Sequence, residues 1–317
     1  MTERDGDMMG LLLPEDLPAD HRSGFVAVVG RPNVGKSTLM NAYLGQKVAI
    51  VSNKPQTTRN RLLGILTRPD AQVIFVDTPG IHRPFHKLGE HMVESALGAL
   101  WDADVALFLV DVSVPPDPED EMVARAVDRS SAGRKILVLN KADLVGPSDI
   151  DKHRQAYTRL ATTDDDIVIS ATRGNNREEL LRRVIAALPF GPRYFPEEQV
   201  TDQEERFLVA EFIREQVLRR THQEVPHSVA VVIQEFKERR PDLTYVGATI
   251  WVERDSQKGI VIGEGGRMLK LIGSGARAQI EDMVGHKVFL DLWVKVRKLW
   301  RSDEAELRRL GLAPRDE

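Results

Sequence analysis

Residues 30–37 match the phosphate-loop pattern G-x-x-x-x-G-K-[ST] at every required position. An apolar run at 25–29 precedes this loop, and a predicted helix at 38–44 follows it, which is the strand–loop–helix context that the motif needs. The backbone N–H groups of such a loop point at the phosphates of a nucleotide. We expect Lys36 to reach the β- and γ-phosphates and the Ser37 hydroxyl to ligate Mg²⁺. The loop therefore predicts a nucleoside triphosphate and leaves its base open.

A second phosphate-side motif, D-x-x-G at 77–80, closes a predicted strand at 72–77. The Asp77 carboxylate is expected to hold Mg²⁺ directly or through water, and the Gly80 N–H to meet the γ-phosphate. Between the two motifs, the polar segment 47–61 is predicted to be a mobile loop that offers two hydroxyls to the metal. We prefer Thr58 as that ligand and keep Thr57 as the alternative. The predicted catalytic residues are Lys36, Thr58 and Gly80, and the predicted metal ligands are Ser37, Thr58 and Asp77.

The sequence N-K-A-D at 140–143 follows the predicted strand 135–139 and indicates a guanine base. The Asp143 carboxylate can accept from guanine N1–H and the 2-amino group, whereas adenine would leave it buried and unpaired. We expect the Lys141 stem to cover the base plane, Asn140 to tie the loops together, and the Ala171 N–H to meet guanine O6. The predicted nucleotide-binding residues are Gly30, Arg31, Pro32, Asn33, Val34, Gly35, Lys36, Ser37, Thr38, Asp77, Thr78, Pro79, Gly80, Asn140, Lys141, Asp143, Ser170, Ala171 and Thr172.

These motifs all fall at the C-terminal ends of predicted strands. Apolar strands at 72–77, 104–111, 135–139 and 166–169 alternate with helices, one of which begins near Pro118. The pattern predicts an α/β P-loop domain at 24–188 with a doubly wound, mostly parallel sheet, whose ligand lies in the crevice at those strand ends. A further strand at 62–66 is predicted to pair antiparallel at an edge.

Composition limits the remaining possibilities. A chain of 317 residues, with 42% hydrophobic and 29% charged residues, suggests two globular domains. The net charge of −4 means that any nucleic-acid site must be local, and the absence of cysteine excludes disulfides, thiolate metal sites and cysteine nucleophiles. Residues 1–23 are predicted to be a disordered extension rather than a signal peptide. No apolar segment approaches the length of a membrane span, so we expect a cytoplasmic protein.

A proline-rich segment at 189–201 is predicted to be a linker, and the pattern changes after it. A helix is predicted at 202–221, strands at 228–238 and 244–254, a short helix at 256–262, a longer helix at 267–284 and a closing strand at 287–298. This order predicts a smaller α+β domain at 202–317.

The turn G-E-G-G at 263–266 is the chemical element of this second domain. Small residues let the backbone lie against a phosphodiester, and the following helix adds its N-terminal dipole. Residues 254–298 contain nine Lys/Arg and five Asp/Glu, a local excess of four cations (9 − 5). Helix–helix turns also use Gly-x-x-Gly, but the apolar lead-in and the order of elements favour single-stranded RNA binding. The predicted RNA-binding residues are Lys258, Ile262, Gly263, Glu264, Gly265, Gly266, Arg267 and Lys270.

With these residues in hand, the chain resembles the Era family of bacterial GTPases from about residue 25 to 312. The segments that carry the likeness are 30–37, 56–59, 77–80, 140–143, 195–197, 261–266 and 292–296. The resemblance implies a C-terminal K-homology (type II) domain, and binding near the 3′ end of 16S ribosomal RNA during maturation of the 30S subunit. It also implies peripheral contact with the inner face of the cell membrane and a monomeric protein that uses GTP/GDP and Mg²⁺.

Three positions bear on how far the resemblance extends. Glu264 stands where the family often has Lys, which weakens the electrostatic part of the RNA argument and leaves its backbone part intact. Ile81 stands where Ras-like enzymes place a water-orienting Gln, so slow intrinsic hydrolysis is expected, with the water placed by backbone groups or a partner. Asn33 looks like a position that helps to hold K⁺ in related GTPases, and the alternative is a loop Asn that bonds only backbone.

The leading hypothesis is therefore a GTP-hydrolysing switch in which GTP orders the segments 47–61 and 80–98 and hydrolysis releases them. Two alternatives stay open. One is a P-loop kinase for a small metabolite, against which the N-K-A-D sequence argues. The other is a constitutive RNA-binding protein in which the nucleotide is structural.

Overall fold

The computed structural model describes residues 17–54, 56–84, 86–222 and 225–314. The predicted N-terminal extension therefore lies outside the described residues up to position 16. Two compact units are present. The first contains the chain up to Lys47, together with Arg61–His82 and Ser95–Asp202, and the second contains Val48–Asn60, Arg83–Glu94 and the chain from Gln203 onward. In the described part of the chain, no helix is both long and apolar enough to span a membrane.

A six-stranded sheet in the order β2-β3-β1-β4-β5-β6 forms the centre of the first unit. Every neighbouring pair is parallel except β2 with β3, which confirms the antiparallel edge strand. Strands β3 and β4 are buried at every position, as expected for strands that helices cover on both faces. The α/β P-loop fold is therefore confirmed. The strands are β1 (Arg22–Val29), β2 (Leu62–Thr67), β3 (Ala71–Asp77), β4 (Val105–Asp111), β5 (Arg134–Asn140) and β6 (Asp165–Val168).

The third helix, α3, begins where local signals in the sequence place it. Asp117 caps α3 by accepting from the N–H groups of Glu119 and Asp120, with Pro118 at the first helical position. Helix α2 is shared, since its first residues are grouped with the second unit and the rest with the first. The helices are α1 (Lys36–Leu44), α2 (Lys87–Trp101), α3 (Pro118–Arg129), α4 (Pro147–Tyr157) and α5 (Arg177–Ala187).

The segment 189–201 has no helix or strand of its own, yet it is bound along the first unit. The Gln72 side chain accepts from the N–H groups of Tyr194 and Phe195 at 2.7 and 2.9 Å, and donates to the Phe195 carbonyl at 2.8 Å. The Ile65 N–H donates to the Val200 carbonyl at 2.9 Å. This path of hydrogen bonds ties the predicted linker to the edge of the sheet.

The second unit contains a three-stranded sheet in the order β7-β8-β9, in which β7 and β8 are antiparallel and β8 and β9 parallel. One sheet face packs on α6 and α8 through a cluster that includes Phe212, Ile213, Val246 and Ile280. The predicted order of helix, two strands, two helices and closing strand is confirmed. The elements are α6 (Glu205–Arg220), β7 (Ala230–Arg240), β8 (Leu243–Val252), α7 (Asp255–Ile262), α8 (Arg267–Val284), β9 (Lys287–Val296) and α9 (Glu304–Arg309).

Candidate functional site

The phosphate loop joins β1 to α1 and is packed too closely for side chains at its first glycine. A methyl group on Gly30 would overlap the Leu109 carbonyl oxygen on β4. Lys36 is 6% exposed, and its Nζ donates to the carbonyls of Gly30 and Arg31 at 3.2 and 3.0 Å. Burial lowers the pKa of Lys36 to about 8, against the opposing effect of the Asp77 carboxylate. The loop thus surrounds the Lys36 ammonium group with backbone carbonyls. A bound phosphate would add a negative charge beside this group.

The two predicted metal ligands of the first unit lie together. The Ser37 hydroxyl donates to Asp77 Oδ2 at 2.6 Å, and Asp77 is fully buried at the end of β3. One hydroxyl and one carboxylate are hard oxygen ligands of the kind Mg²⁺ takes beside phosphate oxygens. Among the residues that the structure describes, no cluster of three or more His, Asp or Glu side chains offers another metal site.

The D-x-x-G turn is held against the phosphate loop. The Ile81 N–H donates to the Gly30 carbonyl at 3.3 Å, and the Thr78 hydroxyl donates to the Val28 carbonyl at 2.8 Å. Ile81 itself is 1% exposed and packs in the hydrophobic cluster of β1 and β4. An apolar side chain buried in this way can neither orient nor polarise a water molecule, in line with the reasoning on its residue type.

Asn140 connects three loops through one side chain. Its Nδ2 donates to the Val34 carbonyl in the phosphate loop at 2.8 Å, and its Oδ1 accepts from the Ala171 N–H at 2.9 Å. Asn140 is 2% exposed at the end of β5. The phosphate side and the predicted base side are therefore parts of one site.

Asp143 meets the other base-side residues at the mouth of that site. The Ser170 hydroxyl donates to Asp143 Oδ1 at 2.6 Å, and Ser170 Oγ lies 3.2 Å from Thr172 Oγ1. The Ala142 N–H donates to the Ile169 carbonyl at 3.2 Å, which ties the two loops by backbone as well. The Asp143 carboxylate is thus held by Ser170, next in the chain to Ala171, and its oxygens can accept further hydrogen bonds.

One side-chain partner of this site, Asp111, belongs to none of the predicted motifs. Lys141 lies at φ 67°, and its Nζ donates to Asp111 Oδ2 at 2.6 Å. Burial opposes ionisation of Asp111, but hydrogen bonds from Lys141 and Ser113 outweigh it and lower its pKa. The pair fixes the Lys141 ammonium group at the end of β4, beside the loop that follows β5.

The guanidinium group of Arg31 forms ion pairs at the start of α3 and does not point into the phosphate loop. Its Nε lies 3.1 Å from Asp120 and 3.4 Å from Asp117. Tyr157 also donates to Asp120 at 3.3 Å. What Arg31 contributes to the loop is therefore its backbone. Asn33, in contrast, is exposed at φ 66°, and Val34 is fully buried.

The segment 48–60, which contains Thr57 and Thr58, is grouped with the second unit. The Thr57 hydroxyl donates to the Lys54 carbonyl at 2.6 Å, and Arg214 of α6 donates to the Thr57 carbonyl. The Val51 N–H donates to Glu215 Oε1 at 2.9 Å, and Glu215 is fully buried. Arg214 and Glu215 of α6 thus hold the segment by hydrogen bonds to its backbone.

Arg59 is the main anchor of this segment. It is 6% exposed, and its guanidinium donates to the carbonyls of Val229 and His227 at 2.6 and 3.2 Å, with the Trp300 ring 5.5 Å away. Burial lowers the pKa of Arg59 well below its ordinary value, and the Arg214 guanidinium lowers it further. The sequence places Arg59 only within the segment 56–59 that resembles the Era family. A polar loop gives no sign of which of its cations is buried in the folded chain.

The start of α2 makes a second set of contacts inside the same unit. Leu88 and Met92 pack in a buried cluster with Trp251, Trp300 and Leu307. Both predicted switch segments therefore belong, in part, to the compact unit that carries the second domain.

A groove of about 450 Å³ runs along one face of α8 beside β9. Of the predicted RNA-binding residues, Gly266 and Lys270 line it, whereas Ile262 packs against the hydrophobic core. Six further residues line the groove and were not predicted from the sequence. They repeat at helical spacing from Gly266 or alternate along β9, and this spacing is a signal by which they could have been predicted. They are Leu269, Gly273, Ser274, Arg277, Leu290 and Leu292.

The turn that opens α8 is formed by backbone conformations that favour glycine. Gly263, Gly265 and Gly266 have φ of 71°, 58° and 78°. A methyl group on Gly263 would lie 2.7 Å from Met268 Cβ, so this glycine is required for space as well. Glu264 is exposed within the turn, and Lys258 and Arg267 flank it on α7 and α8.

Comparisons with known proteins agree with this arrangement. Residues 25–141 match the family model of a 50S ribosome-binding GTPase, and residues 224–301 match that of a KH domain. GTPase Era of Lacticaseibacillus paracasei is 48% identical over 299 residues, covering 94% of this chain and 99% of the relative.

Two solved structures align with almost the whole chain. One is Era in complex with MgGDPNP and nucleotides 1506–1542 of 16S ribosomal RNA, with a TM-score of 0.88 and 40% identity over 93% of this chain and 100% of the other. The second is an Aquifex aeolicus Era variant bound to GDP and AlF4⁻, with a TM-score of 0.88 and 40% identity over 92% of this chain and 100% of the other.

Proposed function

This chain belongs to the GTPase Era family and is a GTPase, and on that basis we propose that it is a GTP-hydrolysing switch that binds small-subunit ribosomal RNA and assists maturation of the 30S subunit. The observation that carries the nucleotide part is the pair of hydrogen bonds from Asn140 to Val34 and Ala171, which supports a single site made of the phosphate loop and the proposed base-side loops. The Asp143 carboxylate, Ala171 N–H and Lys141 stem would then read guanine.

Each residue on the phosphate side of the site has a proposed role. Lys36 would donate to the β- and γ-phosphates in place of its present carbonyl partners, and the Gly80 N–H would meet the γ-phosphate. Ser37 and Asp77 fit a Mg²⁺ site because their oxygens already lie 2.6 Å apart, and the ion would neutralise charge between the phosphates. Thr58 is the third proposed ligand. Thr57 stays the alternative ligand.

Two features concern the rate of hydrolysis. Ile81 is buried and apolar, so we propose slow intrinsic turnover, with water placed by backbone groups or a partner. Asn33 is exposed on the phosphate loop and is proposed to help hold K⁺, which would stabilise charge as an arginine finger does. Turnover in K⁺ buffer compared with Na⁺ buffer, in the wild type and Asn33→Ala, tests this role.

The switch would act through the segments 47–61 and 80–98, of which 48–60 and 83–94 are grouped with the second unit. Arg59, Leu88 and Met92 contact residues of the second unit, so a change in these segments on hydrolysis would alter their packing there. This supports the proposal that GTP orders the two segments and thereby governs RNA binding.

The RNA partner is proposed from the relative's 16S rRNA complex and from the groove of α8. The glycine turn, Lys270 and Arg277 combine backbone approach with positive charge, as single-stranded RNA requires. We keep the functional division 24–188, 189–201 and 202–317 for the GTPase domain, linker and K-homology domain. A monomer in the cytoplasm, with peripheral contact at the inner membrane face, is proposed from family resemblance.

RNA crosslinking with bound GTP analogue and with GDP tests the switch directly. We expect the crosslinked 16S positions or their yield to differ between the two states. Equal crosslinking with GTP analogue, GDP and no nucleotide would instead support a constitutive RNA-binding protein. Transfer of the γ-phosphate to anything but water would favour the kinase alternative, and phosphate release in a metabolite-free assay is the control.

A further inference from the structure

The sheet of the second unit has a face opposite to α6 and α8, here called the outer face, which is covered at one end and open at the other. At the covered end, Trp251 packs under Trp300 and Leu307. At the open end, Phe289 and Trp293 on β9 are 58% and 43% exposed. The two residues are four apart on one strand, so they share this face. The GTPase chemistry and the α8 groove use neither ring.

The open end carries a layered arrangement of rings and a cation. The rings of Tyr245 and Phe289 are stacked, with centroids 5.8 Å apart and planes at 14°. The Arg239 guanidinium lies over the Tyr245 ring, 4.4 Å from its centroid. Trp293 lies about 13 Å further along the strand from Phe289. Phe289 and Trp293 thus offer two separate planar surfaces to a ligand.

The charges around these rings favour a polyanion. Four cations and two carboxylates lie on the outer face, five of them by strand register and alternation and Arg239 by its position over the Tyr245 ring. Glu235 is paired with Arg239 at 3.6 Å, and Lys287 lies 4.0 Å from Glu281 of α8. Rings interleaved with Lys and Arg are the composition that binds unpaired nucleic acid, because every base has a π-face. An anionic membrane would need a broad apolar surface, and the rings here are separated by charged residues. The charged residues are Glu235, Lys237, Arg239, Lys287, Asp291 and Lys295.

The outer face is also continuous with the α8 groove. Leu290 and Leu292, which line the groove, alternate along β9 with Phe289, Asp291 and Trp293. Since β9 is an edge strand, an RNA strand that leaves the groove over this edge arrives directly at the two exposed rings.

We propose that the outer face is a second RNA contact, on which unpaired bases stack against Phe289 and Trp293. This inference rests on the proposed RNA-binding function and deepens it. The groove holds about four nucleotides, as K-homology grooves do, and the outer face holds nucleotides that continue from them.

The test compares a long and a short RNA on the full-length protein. The long probe is the segment equivalent to nucleotides 1506–1542 of 16S ribosomal RNA, and the short probe is its smallest truncation that still binds the wild type. The double variant Phe289→Ala/Trp293→Ala should lose at least about fivefold in affinity for the long probe and keep its affinity for the short one. Trp101→Ala removes an aromatic ring that is 51% exposed in the first unit, and serves as the matched control.

A spectroscopic readout separates stacking from a structural effect. Long RNA should quench the fluorescence of the wild type, and Trp293→Phe should lose part of this quenching while keeping its affinity within about twofold. Unchanged affinity of the double variant for the long probe would overturn the inference, and so would an equal loss for both probes. Binding to phosphatidylglycerol vesicles that depends on the two rings, with RNA binding intact, would assign the surface to lipid instead. A wild type that binds neither RNA would refute the RNA function itself.

Discussion

Arg59 donates to the Val229 carbonyl at 2.6 Å, a contact across 170 residues of sequence that holds a predicted switch segment in the core of the second unit. Because the cation is 6% exposed, the segment cannot leave this position without also releasing the carbonyls of Val229 and His227. A local movement of this loop therefore has a direct structural consequence in the unit that carries the α8 groove.

Replacement of this anchor should weaken both stability and coupling. Arg59→Ala leaves the buried Val229 carbonyl and the partly buried His227 carbonyl without their donor, so we expect the free energy of unfolding to fall by about 2 kcal/mol or more. The difference in RNA affinity between the GTP-analogue and GDP states should also narrow. Denaturant unfolding and RNA anisotropy measure the two effects. The exposed neighbour Arg61→Ala is the control, and an unaltered nucleotide dependence in Arg59→Ala would refute the coupling.

Base selectivity should depend on Asp143. With Asp143→Asn, the carboxylate that accepts from guanine becomes an amide, so we expect GTP affinity to fall about 100-fold and that for xanthosine triphosphate to rise. Competition binding with both nucleotides checks this. Asp149→Asn, an exposed acid on α4, should have no effect. If the preference does not move toward xanthine, Asp143 is not the base reader.

Nucleotide binding should depend on pH through Lys36. Its pKa in the free protein is lowered to about 8, while a phosphate ligand would keep it protonated. Binding above that pH must therefore take up a proton, and affinity should fall by up to about tenfold per pH unit, with little change below. Calorimetry in buffers of different ionisation enthalpy measures the proton uptake. Lys36→Met should bind weakly and lose this slope, and a slope that persists would assign the titration to another group.

The lowered pKa of Lys36 has the opposite effect on folding: nucleotide affinity falls as pH rises, whereas stability increases. Between about pH 8 and 10.5 the unfolded chain holds a proton on Lys36 that the nucleotide-free folded chain has lost. The contribution of Lys36 to the free energy of unfolding should therefore rise with pH in this window. Comparison of the wild type with Lys36→Met across the window isolates that contribution.

Two glycines give opposite expectations for stability. Gly30→Ala would force a methyl group onto the Leu109 carbonyl oxygen, so we expect a loss of several kcal/mol and of nucleotide binding. Gly98 lies within α2 with open space where a methyl group would lie, so Gly98→Ala should stabilise by about 0.5–1 kcal/mol. Thermal unfolding of both variants tests the pair. Equal effects would contradict the packing described for the loop.

The groove of α8 should bind RNA through charge as well as shape. Lys270→Ala and Arg277→Ala each remove one cation that lines it, and each should lower the slope of log affinity against log salt by about 1. Anisotropy titrations at several salt concentrations measure the slope. Lys152→Ala, an exposed cation on α4, should leave it unchanged. If Lys270→Ala and Arg277→Ala have the same slope as Lys152→Ala, the groove is not part of the RNA interface.

Much of the fold and of the proposed nucleotide site can be predicted from short stretches of sequence. The phosphate loop, the D-x-x-G and N-K-A-D sequences and the glycine turn are contiguous, and apolar runs place each at the end of a strand or the start of a helix. Fold class, the antiparallel edge strand and the order of elements in the second unit followed from the same local periodicity, because burial repeats at the spacing of each element.

The distant residues that contact these motifs could not be predicted in this way and are seen in the folded chain. Asp111 beside Lys141, Asp120 beside Arg31 and Val229 beside Arg59 are partners that no spacing predicts. The proline-rich segment likewise reads as a free linker until Gln72 is seen to bind it. Such contacts depend on how sheets and helices pack, which is a property of the whole fold, whereas a motif records only the neighbours that the chain itself supplies.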